Sequence, residues 1–197
     1  MDFVVVDVET ANQRPSSICQ IGIACFCDGK LAKTWGNFVN PEDSFLPFNT
    51  ELHGISPKTI SKSPTWPDLQ VTIRQFMEQR TIASHTFFDR AALNGANERY
   101  GLAPVPIARW VDTCKIARKT WPHLPSHKLT NLARTFGISY RAHNAVEDAR
   151  CAGELLLLAA NAAGLEIQEL LASATSSSRA DGPGVCHKGG CTAVSVV

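Results

Sequence analysis

Apolar residues along the chain recur with two different periods. Residues 3–8 (FVVVDV) make a run apolar enough for a strand buried on both faces, and 18–27 (ICQIGIACFC) alternates about Ile21, Ile23 and Cys25. "DGK" at 28–30 is a hairpin turn, so 31–39 returns antiparallel to the strand before it. Residues 40–67, rich in Pro and Ser, carry no period and read as an irregular connection. Asp68 then caps a helix with Leu69, Ile73, Phe76 and Met77 on one face. Next come a short strand at 81–84, a helix over 88–100 stopped by Gly101, and a strand at 109–113 that leads into a helix through Lys119. Helices over 128–136 and 145–163, closed by Gly137 and Gly164, complete the pattern. Three strands followed by alternating helices and strands predict an α/β fold, a mixed sheet flanked by helices.

The periodicity fades near the C-terminal end. Residues 1–167 are expected to form one domain and 168–197 a flexible tail, Ser/Gly-rich from about Ser173. The "CHKGGC" within it offers three metal ligands at most and reads as linker. Seven cysteines, odd in number and scattered, read as reduced thiols, mostly small core residues. The apolar stretch at 155–160 is far too short to span a bilayer, and Asp2 stands where a signal peptide would be cationic. The expectation is a soluble, cytoplasmic protein with no membrane partner. The formal net charge of +1 argues neither for nor against nucleic acid.

Four acids interrupt the apolar pattern where it should be buried. Side chains two apart on a strand share a face, so Asp7 and Glu9 project together beyond Val5, with Val4, Val6 and Val8 on the other side. Asp89 falls on the stripe of Ala92, Leu93, Ala96 and Tyr100. Asp148 lines up with Cys151, Ala152, Leu155 and Ala159, while Glu147 lines up with Arg150 and Glu154 on the wet face. Buried carboxylates are costly unless a cation compensates them. Helix capping by the dipole would account for one such acid, less easily for four. His143, just ahead of the last helix, reads as a general base in that company, because a helix N-terminus disfavours the imidazolium.

These residues lie in three ordered motifs, "DVET" (7–10), "SHTFFDR" (84–90) and "HNAVEDA" (143–149), which resemble the exonuclease motifs of the DEDDh, DnaQ-like 3′→5′ exonucleases. That group includes the epsilon subunit of DNA polymerase III and exonuclease X. "ELHGIS" (51–56) and "DTCKIAR" (112–118) resemble its connecting segments. The resemblance implies a ribonuclease H-like fold with a five-stranded mixed sheet. It also implies two divalent cations, Mg²⁺ or Mn²⁺, on Asp7, Glu9, Asp89 and Asp148, with His143 as general base. Thr10 and His53 correspond to positions that contact the terminal nucleotide. His85 stands where the group often has Asn, and is expected to donate a hydrogen bond to the first motif or to the substrate. The implied partners are nucleic acid 3′ ends, DNA ahead of RNA. A DNA polymerase or repair protein, and a second copy of the chain, are left open as further partners. An RNA-trimming exonuclease and a non-catalytic polymerase-associated module are the rival readings.

Overall fold

The structure is a computed structural model that describes residues 2–174. Strands β1 (Phe3–Thr10), β2 (Ile18–Cys27) and β3 (Lys30–Phe38) form an antiparallel meander. Three helices follow: α1 (Pro47–His53), α2 (Pro57–Ile60) and α3 (Trp66–Met77). Strand β4 (Thr81–Ser84) lies parallel to β1, and after α4 (Phe88–Arg99) strand β5 (Arg109–Asp112) lies parallel to β4. The chain ends in α5 (Thr113–Thr120), α6 (Leu129–Phe136), α7 (Ala145–Ala162) and α8 (Ile167–Ser173). The sheet order β3-β2-β1-β4-β5 is the five-stranded mixed arrangement expected.

β1 is the central strand, which accounts for its valines. Val4, Val6 and Val8 enter a core built with α3 and α4, whereas Phe3 and Val5 enter the opposite core, built with α5 to α8. Burying all five contributes on the order of 10 kcal/mol before chain entropy is subtracted.

α7 lies almost against the backbone of the sheet. A Cβ on Gly153 would stand 2.1 Å from the Phe26 ring, and one on Gly22 would stand 2.1 Å from the carbonyl carbon of Ala145. Only hydrogen fits at either position. Gly22 pairs with Asp7 across the β1–β2 ladder, so the same contact brings the first turn of α7 beside the end of β1.

The structure departs from the sequence reading in three places. The segment 40–67 holds α1 and α2, which are too short to show a helical period; each opens on a proline, and α2 is capped at its N-terminus by reciprocal Ser56–Thr59 hydrogen bonds. Thr65, rather than Asp68, is the N-cap of α3: Asp68 sits one turn inside and accepts the Thr65 amide at 2.8 Å. α8 runs across the expected boundary at 167/168, with Ile167, Leu170 and Leu171 buried in the core. The remainder of the expected tail, with its "CHKGGC", lies outside the described residues. Cys19, Cys25, Cys114 and Cys151 are buried thiols, and Cys27 is half-buried. No single helix among the described residues is long and apolar enough to cross a membrane.

Replacing Gly153 by Ala should cost about 1–3 kcal/mol by overpacking against Phe26, read as a lower urea midpoint at unchanged m-value. An unchanged midpoint would mean that α7 does not rest on this ring.

Candidate active site

β1 and β4 run parallel, so their carboxyl ends open on one edge of the sheet, and α4 begins at that edge. Ligand sites of open α/β sheets form at such strand ends. Asp7 and Glu9 project there from β1, whose register against β2 slips between Glu9 and Thr10, so that regular pairing ends beside the acids. Asp89, in the first turn of α4, is buried and accepts the Val8 amide on Oδ1 at 3.1 Å, which ties α4 to β1. Asp148, in the first turn of α7, faces the same place, while Glu147 turns outward to Arg150 at 2.9 Å, as the helical register predicts.

Carboxylate oxygens of Asp7, Glu9 and Asp148 all lie within 4.8 Å of one another. Asp89 stands behind this trio, held by the Val8 amide, and its charge reaches both Asp7 and Glu9. Burial, with mutual repulsion added, pushes Glu9 up to about 8 and raises Asp7 well above the carboxylate range. Burial likewise raises Asp89 and Asp148 to about 7, against the opposing hydrogen bonds from backbone amides.

His143 is placed by the entrance to α7. Asn144 caps the helix by accepting the Glu147 amide at 3.3 Å, and Gln20 on β2 accepts the Ala145 amide on Oε1 at 3.1 Å. His143 itself has φ of 59°, the left-handed region that a side chain with a Cβ enters at a cost of about 1–2 kcal/mol. That conformation leaves its Nδ1 3.9 Å from Glu9 Oε1, with the ring partly open to solvent.

The three residues expected to touch substrate are placed differently. His53 is buried; its Nδ1 accepts the Ile55 amide at 3.0 Å, so Nε2 carries the proton and donates to the Thr10 carbonyl at 3.1 Å. Burial lowers its pKa, consistent with a neutral ring. The Thr10 carbonyl also accepts from Asn49 Nδ2 at 2.9 Å, so α1 is bolted to the first motif by main-chain contacts. His85 does not meet the first motif. Its Nδ1 pairs with Thr113 Oγ1 at 3.0 Å and its Nε2 with the His127 carbonyl at 2.9 Å, joining β4 to α5 and the loop ahead of α6. Both of its nitrogens are used inside the fold, which corrects the expected bond to the first motif. Phe88, at helical spacing with Ala92, is 46% exposed rather than part of the core, as are Phe87 at 42% and Phe48 at 72%.

Gln20 and Tyr140 were not singled out from the sequence. Gln20 had a visible signal, a lone polar side chain in an apolar strand. Tyr140 had none: its hydroxyl is buried without a hydrogen-bond partner, and the charges of Asp148 and Asp7 act on it.

The donor set fits a divalent cation. It is all oxygen, three of its carboxylates converge, and Asp148 Oδ2 is buried without a partner. A mixed sheet with clustered acids at the end of its central strand is the arrangement of a nuclease-type α/β domain with a candidate cation site. A protein-family model described as exonuclease matches residues 4–156, and the chain belongs to that exonuclease family. The match contains all four acids and His143. The chain is 27% identical to the PolC-type DNA polymerase III of Caldanaerobacter subterraneus over 160 residues, which is 79% of this chain and 11% of that protein. It thus spans about a tenth of the length of such relatives. Among solved structures, exonuclease X in complex with 5′-overhanging duplex DNA superposes with a TM-score of 0.66 at 20% identity, covering 86% of this chain and 99% of that one. The nuclease domain of 3′hExo, a DEDDh family member bound to rAMP, gives 0.67 at 18% identity, covering 79% and 90%.

Two outcomes follow. Raised carboxylates bind protons more tightly in the folded state, so their contribution to stability is complete below about pH 4 and is lost as pH rises through about 7 to 8. The melting temperature in chelator should therefore fall between pH 5 and pH 8, and the increase produced by Mn²⁺ should grow over the same interval. A flat pair of curves would contradict the clustering. Gln20→Ala, which strips the Ala145 amide of its acceptor, should lower stability by about 1–3 kcal/mol and turnover by at least about tenfold. Normal turnover would show that α7 is seated without it.

Proposed function

We propose that this protein is a metal-dependent 3′→5′ exonuclease that removes 5′-nucleotides from the 3′ ends of single-stranded DNA. The observation that carries the reading is the convergence of Asp7, Glu9 and Asp148, backed by Asp89, with His143 3.9 Å from Glu9. Two divalent cations, Mg²⁺ or Mn²⁺, held by these four acids, would supply Lewis-acid stabilisation of charge at the scissile phosphate.

The chain's own part is positioning and proton transfer. His143 has Nδ1 turned to Glu9, and Nε2 makes no hydrogen bond among the described residues. Nε2 takes the proton of the attacking water as its oxygen bonds to phosphorus, and the 3′-oxygen of the penultimate nucleotide leaves and gains a proton. The neighbouring carboxylates steady the imidazolium so formed. His53, Asn49 and the Thr10 carbonyl hold α1 beside the acids, and the exposed rings of Phe48, Phe87 and Phe88 are available to stack on terminal bases.

Similarity to PolC-type DNA polymerases supports DNA as substrate, while likeness to a nuclease bound to rAMP keeps RNA as the second reading. Matched DNA and RNA oligonucleotides, labelled at either end, decide between them. A 5′ label should give a descending ladder with Mg²⁺ or Mn²⁺ and none with chelator, and faster loss of RNA would reverse the substrate assignment. Asp148→Asn and His143→Ala should each lower kcat by about 10²–10⁴-fold while melting cooperatively. Turnover at the wild-type rate in either would remove that residue from the chemistry.

A further inference from the structure

A groove of about 630 Å³ lies between α4 and the segment that leads into β5. Arg90, Asn94 and Asn97 line it from α4, and Arg109 and Trp110 line it from β5. None of its lining residues is acidic, and neither arginine makes a hydrogen bond or ion pair among the described residues. Two guanidinium groups with no protein partner on one groove await an anion, and their planar forks suit phosphate oxygens.

The walls are pre-set. Trp110 Nε1 donates to Ser84 Oγ at 3.0 Å, Asn97 Oδ1 accepts from Trp66 Nε1 at 2.9 Å, and Arg74 holds the Ala103 carbonyl at 2.8 Å. The Trp110 ring is thereby held half-buried in the groove wall.

We propose that this groove holds the substrate strand upstream of the terminal nucleotide, with its phosphates on Arg90 and Arg109 and a base against Trp110. The proposal rests on the exonuclease reading and adds where the rest of the strand lies. Arg90 follows Asp89 in the first turn of α4, so one end of the groove lies on the helical turn that carries one of the four acids. From Arg90 to Asn97, α4 advances about 10 Å, room for about three stacked nucleotides at ~3.4 Å each.

The test compares wild type with Arg109→Glu and Arg90→Ala on two substrates: a single-stranded DNA 12-mer, and the 4-nitrophenyl ester of thymidine 5′-phosphate, which has no upstream strand. KM for the 12-mer should rise at least about tenfold in Arg109→Glu while hydrolysis of the ester is unchanged. Fluorescence anisotropy of the labelled 12-mer in chelator should show the salt dependence of binding falling by about one unit of log–log slope in Arg90→Ala. An unchanged KM and slope would overturn the proposal. Equal losses on both substrates in Arg109→Glu would overturn it as well, because the groove would then act through the fold. Were the wild type to cleave neither substrate, the exonuclease reading would fall, and anisotropy would still decide whether the groove binds the strand.

Discussion

Four carboxylates at one sheet edge, three of them with oxygens within 4.8 Å of one another, repel each other and lose hydration, and much of the local structure serves to hold them there. The cost shows as protons retained far above the carboxylate range, on Glu9 up to about 8. A cluster of this kind is unfavourable as packing and becomes favourable only when positive charge enters it. Strain and unsatisfied groups gather at the same point, with His143 in the left-handed region and the buried Asp148 Oδ2 without a partner. Such features persist where surrounding structure over-determines them.

That over-determination comes mainly from α7. Its first turn is pressed onto β2 and β3 where Gly22 and Gly36 provide no side chain, and Gln20 and Asn144 satisfy amides at its start. Gly22 lies opposite Asp7 and Gln20 opposite Glu9, so the strand that carries Asp7 and Glu9 and the helix that carries Asp148 and follows His143 share one scaffold strand, β2. β2 contributes no carboxylate of its own, yet its sequence sets the distance between the groups that do. The Asp89 bond to the Val8 amide performs the same task from the other side of the sheet.

The histidines show how one residue type serves different ends according to its surroundings. His53 and His85 have both ring nitrogens committed inside the fold, one tying α1 to the Thr10 carbonyl and the other joining β4 to α5 and the loop before α6. Only His143 of these three keeps a nitrogen without a hydrogen bond beside the acids. In sequence all three stand within or near motifs, His143 read as the general base and His53 and His85 as substrate contacts. Hydrogen-bond partners 28 to 43 residues away, which no local pattern encodes, separate them.

The strands and the longer helices were legible along the chain because burial imposes a period of two or 3.6 on any element with a dry face. The same logic exposed Asp7, Glu9, Asp89 and Asp148, since an acid on an apolar stripe breaks the period. Short elements left no such trace: α1, α2 and α8 have at most two turns and are held by caps and contacts rather than by an amphipathic stripe. What the sequence determined by itself was therefore which side chains lean inward and along which elements. What the tertiary structure decided was which of them meet: the closeness of the acids, the seating of α7 on bare glycines, and the unpaired arginines along α4 and β5. Those meetings join residues far apart in the chain, Asp7 with Asp148 across 141 positions and Gln20 with Ala145 across 125, and a pattern confined to neighbours on one helix or strand carries no record of them.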